Sequence, residues 1–192
     1  MRKHFSRINC NTFKIRIVNI FVISMFFMVG CSGTTPLVLK PTDMKVNFLN
    51  YKSLEINTSV AEGGVVVSET AQNRIKEFIK VEINNGCCKN RFENILFGPT
   101  PAQPEIIQLN IKFRKYDEGN RFLRSVLIGL GAMEIHADVE IRDAMSGKTI
   151  GKGEAGKTYA VGGLAGAATG IEYLEKEFAK EVSKALGKMM GI

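Results

Sequence analysis

An unbroken alternation of apolar and polar residues from Met133 to Asp143 is the feature that most constrains the fold of this 192-residue chain. The odd-numbered positions from 133 to 141 are apolar, and the even-numbered positions from 134 to 142 are polar. Because successive side chains of a β-strand point to opposite sides, the pattern predicts a strand with one buried and one wet face. Such strands are typical of antiparallel sheets that are covered on one side only.

Further strands are predicted around this one. The segment from Glu105 to Tyr116 alternates in the same way, and Lys148 to Tyr159 follows turn residues that would return the chain as a partner strand. Shorter alternating segments lie at Met44–Tyr51 and Phe92–Phe97. These segments predict a sheet of four to six strands.

Two helices complete the prediction. Ser68 is a helix-capping residue before a pattern of helical spacing that runs to about Asn84. Residues 171–189 carry one apolar stripe, which favours a helix packed on the sheet. A short helix or bend is predicted at 121–130. The chain is therefore predicted to be an α+β protein, a two-layer sandwich with a mainly antiparallel sheet packed by about two helices.

The N-terminal 30 residues have the character of a signal sequence. Residues 1–16 are basic, and the 14 residues from Ile17 to Gly30 are apolar. As a helix this run spans roughly 21 Å, at about 1.5 Å per residue. The hydrocarbon core of a bilayer is about 30 Å thick, so the run favours the core of a signal peptide over a transmembrane helix.

The apolar run ends in Met28-Val29-Gly30-Cys31, which resembles the lipobox of bacterial lipoproteins. The resemblance implies cleavage before Cys31 and acylation of that cysteine, which would attach the protein to a membrane through its acyl chains, palmitate among them. Met28 in place of the usual leucine is a departure from the motif. In such lipoproteins Ser32 after the cysteine favours the outer membrane, with the protein facing the periplasm. The alternative is an ordinary signal peptide or short anchor beside an unrelated cysteine.

The predicted organisation is a signal peptide over residues 1–30, a lipidated tether over 31–43 and a single α+β domain over 44–192. The tether is small, polar and Pro-containing. The formal charge is +7, but five of the 26 basic residues lie in the first 30, which leaves +2 for the remainder. A nearly neutral domain gives no electrostatic reason to expect a nucleic-acid partner.

The sequence GKGEAGKT at Gly151–Thr158 satisfies the spacing of a phosphate-binding loop. A phosphate-binding loop leads directly into a helix whose first amides face the phosphates. Here the following residues are too rich in glycine to propagate a helix. We therefore predict a hairpin strand at this position and no nucleotide site.

Cysteine and titratable residues offer weak site candidates. Cys87 and Cys88 are a candidate redox pair, through a labile vicinal or intermolecular disulfide, or else small apolar residues at the boundary of an element. The row Glu134, His136, Asp138 and Glu140 could supply acids and bases, although a solvated sheet face predicts the same row. We expect no catalytic residue, no metal site and no cofactor.

Several motifs of the C-terminal half occur together: Gly119-Asn120-Arg121, Arg124, Gly129-Leu130-Gly131-Ala132, Ser146-Gly147-Lys148 and Gly162-Gly163. With the amphipathic C-terminal helix, they resemble the bacterial lipoproteins grouped as domain of unknown function 4410. The resemblance extends from about Met44 to the C-terminus and is clearest from Gly119. It implies an envelope lipoprotein and supplies no active site.

The expected function is that of a non-enzymatic envelope lipoprotein, an adaptor or assembly factor that works through contact with an envelope protein. The alternative is a carrier or sensor of a small amphiphile or lipid, held in a pocket between the sheet and the C-terminal helix. An enzyme that uses the Gly151 segment or the His136 row is the third hypothesis.

Overall fold

The computed structural model describes residues 34–42, 46–86, 88–126 and 130–192. These residues form one seven-stranded sheet with its long helices packed on one face. In chain order the elements are β1 (Thr34–Thr35), β2 (Lys40–Pro41), β3 (Ser53–Val60), α1 (Glu69–Asn85), β4 (Asn94–Phe97), β5 (Ile106–Asp117), α2 (Arg121–Val126), β6 (Met133–Asp143), β7 (Thr149–Tyr159), α3 (Gly163–Ala168) and α4 (Ile171–Met190).

The sheet is mixed, with the strand order β1-β7-β6-β5-β3-β4, and β2 also pairs with β7. Strands β5, β6 and β7 are antiparallel neighbours. Strand β3 is parallel to both β4 and β5, and α1 provides the crossover that lets β4 run in the direction of β3. The predicted α+β class is confirmed, and most of its strand pairs are antiparallel.

The two long helices have the predicted bounds to within one or two residues. Helix α1 begins after Ser68, whose Oγ accepts a hydrogen bond from the Ala71 amide at 3.2 Å. Helix α4 ends at Gly191, which has a φ of 77° and closes the last turn by donating to the Lys188 carbonyl. Among the described residues, no helix combines the length and the apolar character needed to cross a bilayer.

The core lies between the helices and one face of the sheet. The alternating positions of β5 and β6 supply this face, and their side chains are at most 1% exposed from Ile107 to Phe113 and fully buried from Met133 to Ile141. Helix α1 contributes Ala71, Ile75, Ile79 and Ile83, which lie one turn apart. Phe178 of α4 packs against Phe113 of β5, with ring centroids 6.1 Å apart. The interior is therefore filled by side chains.

The region before α1 differs from the prediction. Phe48–Asn50 is a turn of 3₁₀ helix and not part of a strand, because the Asn47 side chain accepts a hydrogen bond from the Leu49 amide and closes the turn. The strand of this region is β3, at Ser53–Val60, where the sequence analysis predicts none. Its polar residue Glu55 is fully buried, which obscures the pattern of a buried strand.

Residues 34–42 form a strap along the edge strand β7. Thr34 pairs with Lys157 and Lys40 pairs with Lys152. Between these pairs Leu37 and Leu39 are buried against the helix side, while Val38 is 56% exposed. The sequence predicts a tether over residues 31–43. The structure differs for 34–42, because alternating leucines and free β7 hydrogen-bonding groups make an added edge strand more stable than an extended linker.

Two short helices lie at the end of the sheet where β5 and β7 finish. Helix α2 fits the short helix predicted near Arg121, and residues 127–129 lie outside the described part of the chain. The second short helix, α3 at Gly163–Ala168, lies within a stretch rich in glycine and alanine. The two helices contact each other.

Candidate interaction surfaces

The predicted cysteine sites are only partly placed by the structure. Cys31 and Cys87 lie outside the described residues. Cys88 is 1% exposed and belongs to the apolar core. Lipidation of Cys31 and a redox pair of Cys87 and Cys88 therefore remain predictions.

The row of titratable side chains on β6 lies on the face of the sheet opposite the two long helices. Arg114 of β5 contacts Asp138 at 3.2 Å and Glu154 of β7 at 2.8 Å, so one guanidinium spans three strands. Lys115 contacts Glu134 at 2.5 Å. Of the two interpretations of this row, these cross-strand ion pairs fit a solvated sheet face.

The remaining carboxylate of the row, Glu140, is held by two donors. Arg142 contacts it at 2.6 Å, and the Thr149 hydroxyl donates to Oε1 at 2.5 Å. Burial raises the pKa of Glu140, but these hydrogen bonds outweigh it and leave the pKa below its usual range. A carboxylate held ionised in this way is a poor proton donor near neutral pH.

The segment with phosphate-loop spacing is part of β7. All eight residues from Gly151 to Thr158 are within the strand, and Gly151–Gly156 pairs with β6 along its whole length. Lys157 is 7% exposed, and its Nζ lies 3.4 Å from Glu181 of α4. The predicted hairpin strand is confirmed at this position.

A groove of about 530 Å³ lies on the open face between the strap and the sheet. Its walls and floor come from the strap and from the facing positions of β6 and β7. The lining residues are Pro36, Val38, Lys40, Asp138, Val139, Glu140, Lys152, Gly153 and Glu154. The groove thus has an apolar rim from the strap and a floor with charges of both signs. We call this surface, with the neighbouring open face of β5, the open-face groove.

Two buried carboxylates were not predicted from the sequence. Glu175 of α4 is fully buried, and both its oxygens accept from Arg74 of α1, at 2.5 and 2.8 Å. The Tyr116 hydroxyl of β5 donates to Oε1 at 2.6 Å. The pKa of Tyr116 is raised, mainly because the group is buried and secondly because of this hydrogen bond. The three residues tie both long helices to the sheet, so their role is structural.

The second buried carboxylate, Glu55 of β3, is held by uncharged donors. Its Oε1 accepts from Asn57 at 2.5 Å and from Gln108 at 3.0 Å. Its Oε2 accepts from the Thr100 amide at 3.0 Å and from the Thr100 hydroxyl. These bonds fasten the proline-rich loop after β4 onto the open face. Neither buried acid has a local sequence signal, because most of the partners come from distant segments.

Arg124 is the centre of the end of the sheet that carries α2 and α3. Its side chain is 1% exposed and donates to the carbonyls of Gly166 at 3.0 Å and Gly131 at 2.8 Å. Further bonds reach the carbonyls of Glu118 at 3.1 Å and Thr169 at 3.3 Å. One guanidinium therefore joins three loop segments that do not pair with each other as strands.

Apolar side chains around this Arg124 centre face outward. Leu164 of α3 is 90% exposed and Phe122 of α2 is 72% exposed. Val126, Leu130 and Leu123 are also exposed. We call these five residues the apolar end. Exposed apolar side chains on neighbouring segments make this end a candidate for contact with a protein or a membrane.

A match to a family model shows the family to which the chain belongs. The model of the domain of unknown function DUF4410 matches residues 65–163, just over half of the sequence. The chain belongs to this family. The match confirms the resemblance and is narrower than the region from Met44 to the C-terminus over which the resemblance was described.

Several motif residues of the DUF4410 region build the Arg124 centre. Asn120 caps α2 by accepting a hydrogen bond from the Leu123 amide at 3.1 Å. Gly119 has a φ of 65°, and a Cβ there would lie 2.3 Å from the Gly131 carbonyl. Glycine is thus required for the turn to close on the guanidinium. Gly119 and Asn120 thus have architectural roles around Arg124.

Solved structures provide distant similarities. A PelC dodecamer from Paraburkholderia phytofirmans is 9% identical, with a TM-score of 0.49, over 80% of this chain and 97% of that one. Protein XCC0632 from Xanthomonas campestris, of family DUF330, is 9% identical, with a TM-score of 0.48, over 81% and 95% of the two chains. The hypothetical protein CT253 from Chlamydia trachomatis is 7% identical, with a TM-score of 0.43, over 72% and 98%. No curated protein sequence matches the chain significantly.

Proposed function

We propose that this DUF4410 protein is a lipoprotein of the bacterial envelope, attached by acyl chains on Cys31 to the periplasmic side of the outer membrane. The basic start, the apolar run to Gly30 and the Met28–Cys31 motif support the anchor. One acyl chain holds a protein only marginally and several hold it stably, so multiple acylation at Cys31 suits a resident membrane protein. We further propose that it acts without catalysis, as an adaptor that binds an envelope protein.

The open-face groove is the observation that carries the adaptor proposal. Its charges are fixed by cross-strand pairs such as Arg114 with Asp138 and Glu154, so the surface is ordered before a partner arrives. A preorganised surface loses little freedom on binding. Charges of both signs beside the apolar rim at Val38 suit a polypeptide segment of mixed composition.

The same ion pairs argue against an enzyme. Glu134, Asp138 and Glu140 each contact a basic side chain. The hydrogen bonds to Glu140 lower its pKa, whereas a general acid or base works best with a pKa near the working pH. Carboxylates in these pairs are better suited to fixing a surface than to moving protons.

The alternative of an amphiphile carrier receives less support. A small-molecule pocket typically has a volume of about 300–1,000 Å³ and an apolar lining. Depressions of about 210 and 190 Å³ lie at the border between the sheet and α4. The interior between them is occupied by buried side chains such as Phe178 and Val182. An amphiphile would have to displace that packing.

The test is site-specific photo-crosslinking in cells with the full chain. A photoreactive residue replaces Lys152 in the groove or Lys112 on the adjoining open face. Matched controls replace Lys180 or Lys184, exposed lysines of α4 on the opposite side of the molecule. We expect one dominant protein adduct from the open-face positions and not from α4. The Cys31→Ser form should lose both the adduct and the membrane attachment.

Two results would contradict the proposal. Equal adducts from the open face and from α4 would mean that the open face is not the contact surface. Retention of Cys31→Ser in the membrane fraction, with fatty acid still attached to the protein, would refute the anchor.

A further inference from the structure

The apolar end and the start of the domain lie at the same end of the sheet. Strand β7 runs toward Tyr159, and Thr34 pairs with Lys157 only two residues before that end. Helix α3 follows β7 directly, and β6 begins at Met133 immediately after the loop that carries Leu130. The first described residue of the strap is therefore beside the loops that present the apolar end.

The length of chain before Thr34 limits how far the acyl chains can be. Thr34 is three positions after Cys31 in the sequence. A fully extended chain covers at most about 3.6 Å per residue, so Cys31 lies within roughly 11 Å of Thr34. An acylated Cys31 would hold this end of the domain against the membrane surface, whereas the hairpin turn near Met145 is at the far end of β6 and β7.

We infer that the apolar end rests on the lipid bilayer that holds the acyl chains, with the strands running away from the membrane. The inference depends on the lipid anchor in the proposed function and adds an orientation to it. The exposed side chains are Phe122, Val126, Leu130 and Leu164 together with the partly exposed Leu123. The bilayer covers them, and the open-face groove stays accessible beside it.

The chemistry of this end fits a lipid surface. Tyr173, half exposed, stacks edge-on against Tyr159 with ring centroids 5.6 Å apart. Tyrosine rings at a boundary between apolar and wet surroundings are typical of membrane interfaces. The nearby charges have both signs, with Arg121 and Glu172 exposed. This mixture of charges does not favour anionic lipid in particular. Attraction to anionic lipid is not needed, because the anchor already gives this end of the protein a high effective concentration at the bilayer.

The chain has no tryptophan, which allows a direct test. Phe122→Trp places a single reporter in the apolar end, and Met145→Trp places the matched control at the far end, where Met145 is 67% exposed. The lipidated full-length proteins are reconstituted into phosphatidylcholine vesicles that contain lipids brominated in their acyl chains. We expect the Phe122→Trp protein to lose most of its tryptophan fluorescence and the Met145→Trp protein to lose little. Leu164→Trp is a second reporter, should the Phe122 variant fold poorly.

Each result decides the inference. Equal quenching of the two ends, in protein that mass spectrometry shows to be acylated and vesicle-bound, overturns the orientation and leaves the anchor intact. Shielding of the Phe122→Trp reporter from both brominated lipid and aqueous iodide shows that protein covers the apolar end, which also overturns it. Absence of acylation refutes the anchor itself, so the two failures are distinguishable.

Discussion

The two ends of the sheet are built by different means. At the far end, Asp143 closes the hairpin between β6 and β7, because its Oδ1 accepts from the Ser146 amide at 2.6 Å and from the Ser146 hydroxyl at 2.7 Å. At the apolar end, Arg124 collects carbonyls from residues up to 45 positions away. The far end is held by local turn chemistry, and the apolar end by one long-range centre.

This difference has consequences for what each end can display. A turn made by its own polar residues satisfies its backbone and presents a polar surface to water. At the apolar end, the buried guanidinium holds the backbone from within. The outward side chains do not have to stabilise the turn, so Phe122 and Leu164 can be apolar and exposed. The exposed residues of the apolar end, which we propose contact the membrane, are thus different from Arg124, which stabilises the same segments.

The largest expected effect is that of Arg124→Met. The substitution keeps a long apolar side chain but removes the guanidinium bonds to four backbone carbonyls, those of Glu118, Gly131, Gly166 and Thr169. Unsatisfied buried groups cost about 1–3 kcal/mol each, so we expect roughly 3–4 kcal/mol lower stability in urea unfolding of the purified protein in mild detergent. Arg121→Met, on the exposed side of the same helix, should change stability little. Equal losses for both variants would refute the Arg124 centre.

Next in size is Gly166→Ala. A Cβ at this position would lie 1.9 Å from the Val161 carbonyl oxygen, so the backbone of α3 has to shift. We expect a loss of roughly 2–3 kcal/mol, typical of overpacking against backbone. The matched control is Gly170→Ala, where the added Cβ meets the mobile carboxylate of Glu172 and should cost little. A loss of stability for Gly170→Ala as large as that for Gly166→Ala would show that the close approach of Gly166 to the Val161 carbonyl does not explain the loss.

The contrast between the ends also explains what could be predicted from the sequence. The strand β6, both long helices and the Asp143 turn depend on local periodicity and capping, and each matched its prediction. Glu55, Arg124 and Glu175 could not be assigned roles, because each has partners that are remote in the sequence and buried polar residues carry no periodic signal. The strap was missed for the same reason: its two short strands form, and Leu37 and Leu39 between them are buried, only because β7 offers an edge.

A smaller effect is expected at the far end, where Asp143 is linked to pH. Burial raises the pKa of Asp143, but hydrogen bonds from Ser146 and then Tyr51 outweigh it and lower the pKa overall. A group with a lowered folded pKa stabilises the protein above its unfolded pKa of about 3.9, and this stability is lost as the pH falls further. Asp143→Asn should lower the free energy of unfolding by about 1 kcal/mol at neutral pH. In a plot of stability against pH, the variant should also lose less stability at acid pH (the acid limb) than the wild type.

The control for this prediction is Glu62→Gln, which alters an exposed carboxyl in the loop after β3. It should keep the wild-type acid limb. An Asp143→Asn protein whose stability falls with acid as steeply as the wild type would show that the turn carboxylate is not linked to folding. Hydrogen bonds in the turn that do not need an ionised carboxylate would then be sufficient to hold the far end together.

The smallest effect on folding is expected where the proposed contact is largest. In the double variant Phe122→Ser and Leu164→Ser, both altered side chains are mostly exposed, so stability should change by no more than about 0.5 kcal/mol, as for Met145→Ser at the far end. Urea midpoints of the three proteins measure this. A substantial loss in the double variant alone would mean that Phe122 and Leu164 hold α2 against α3 and share the work of Arg124. The apolar end would then be a small core open to water, and its exposure would need no membrane to explain it.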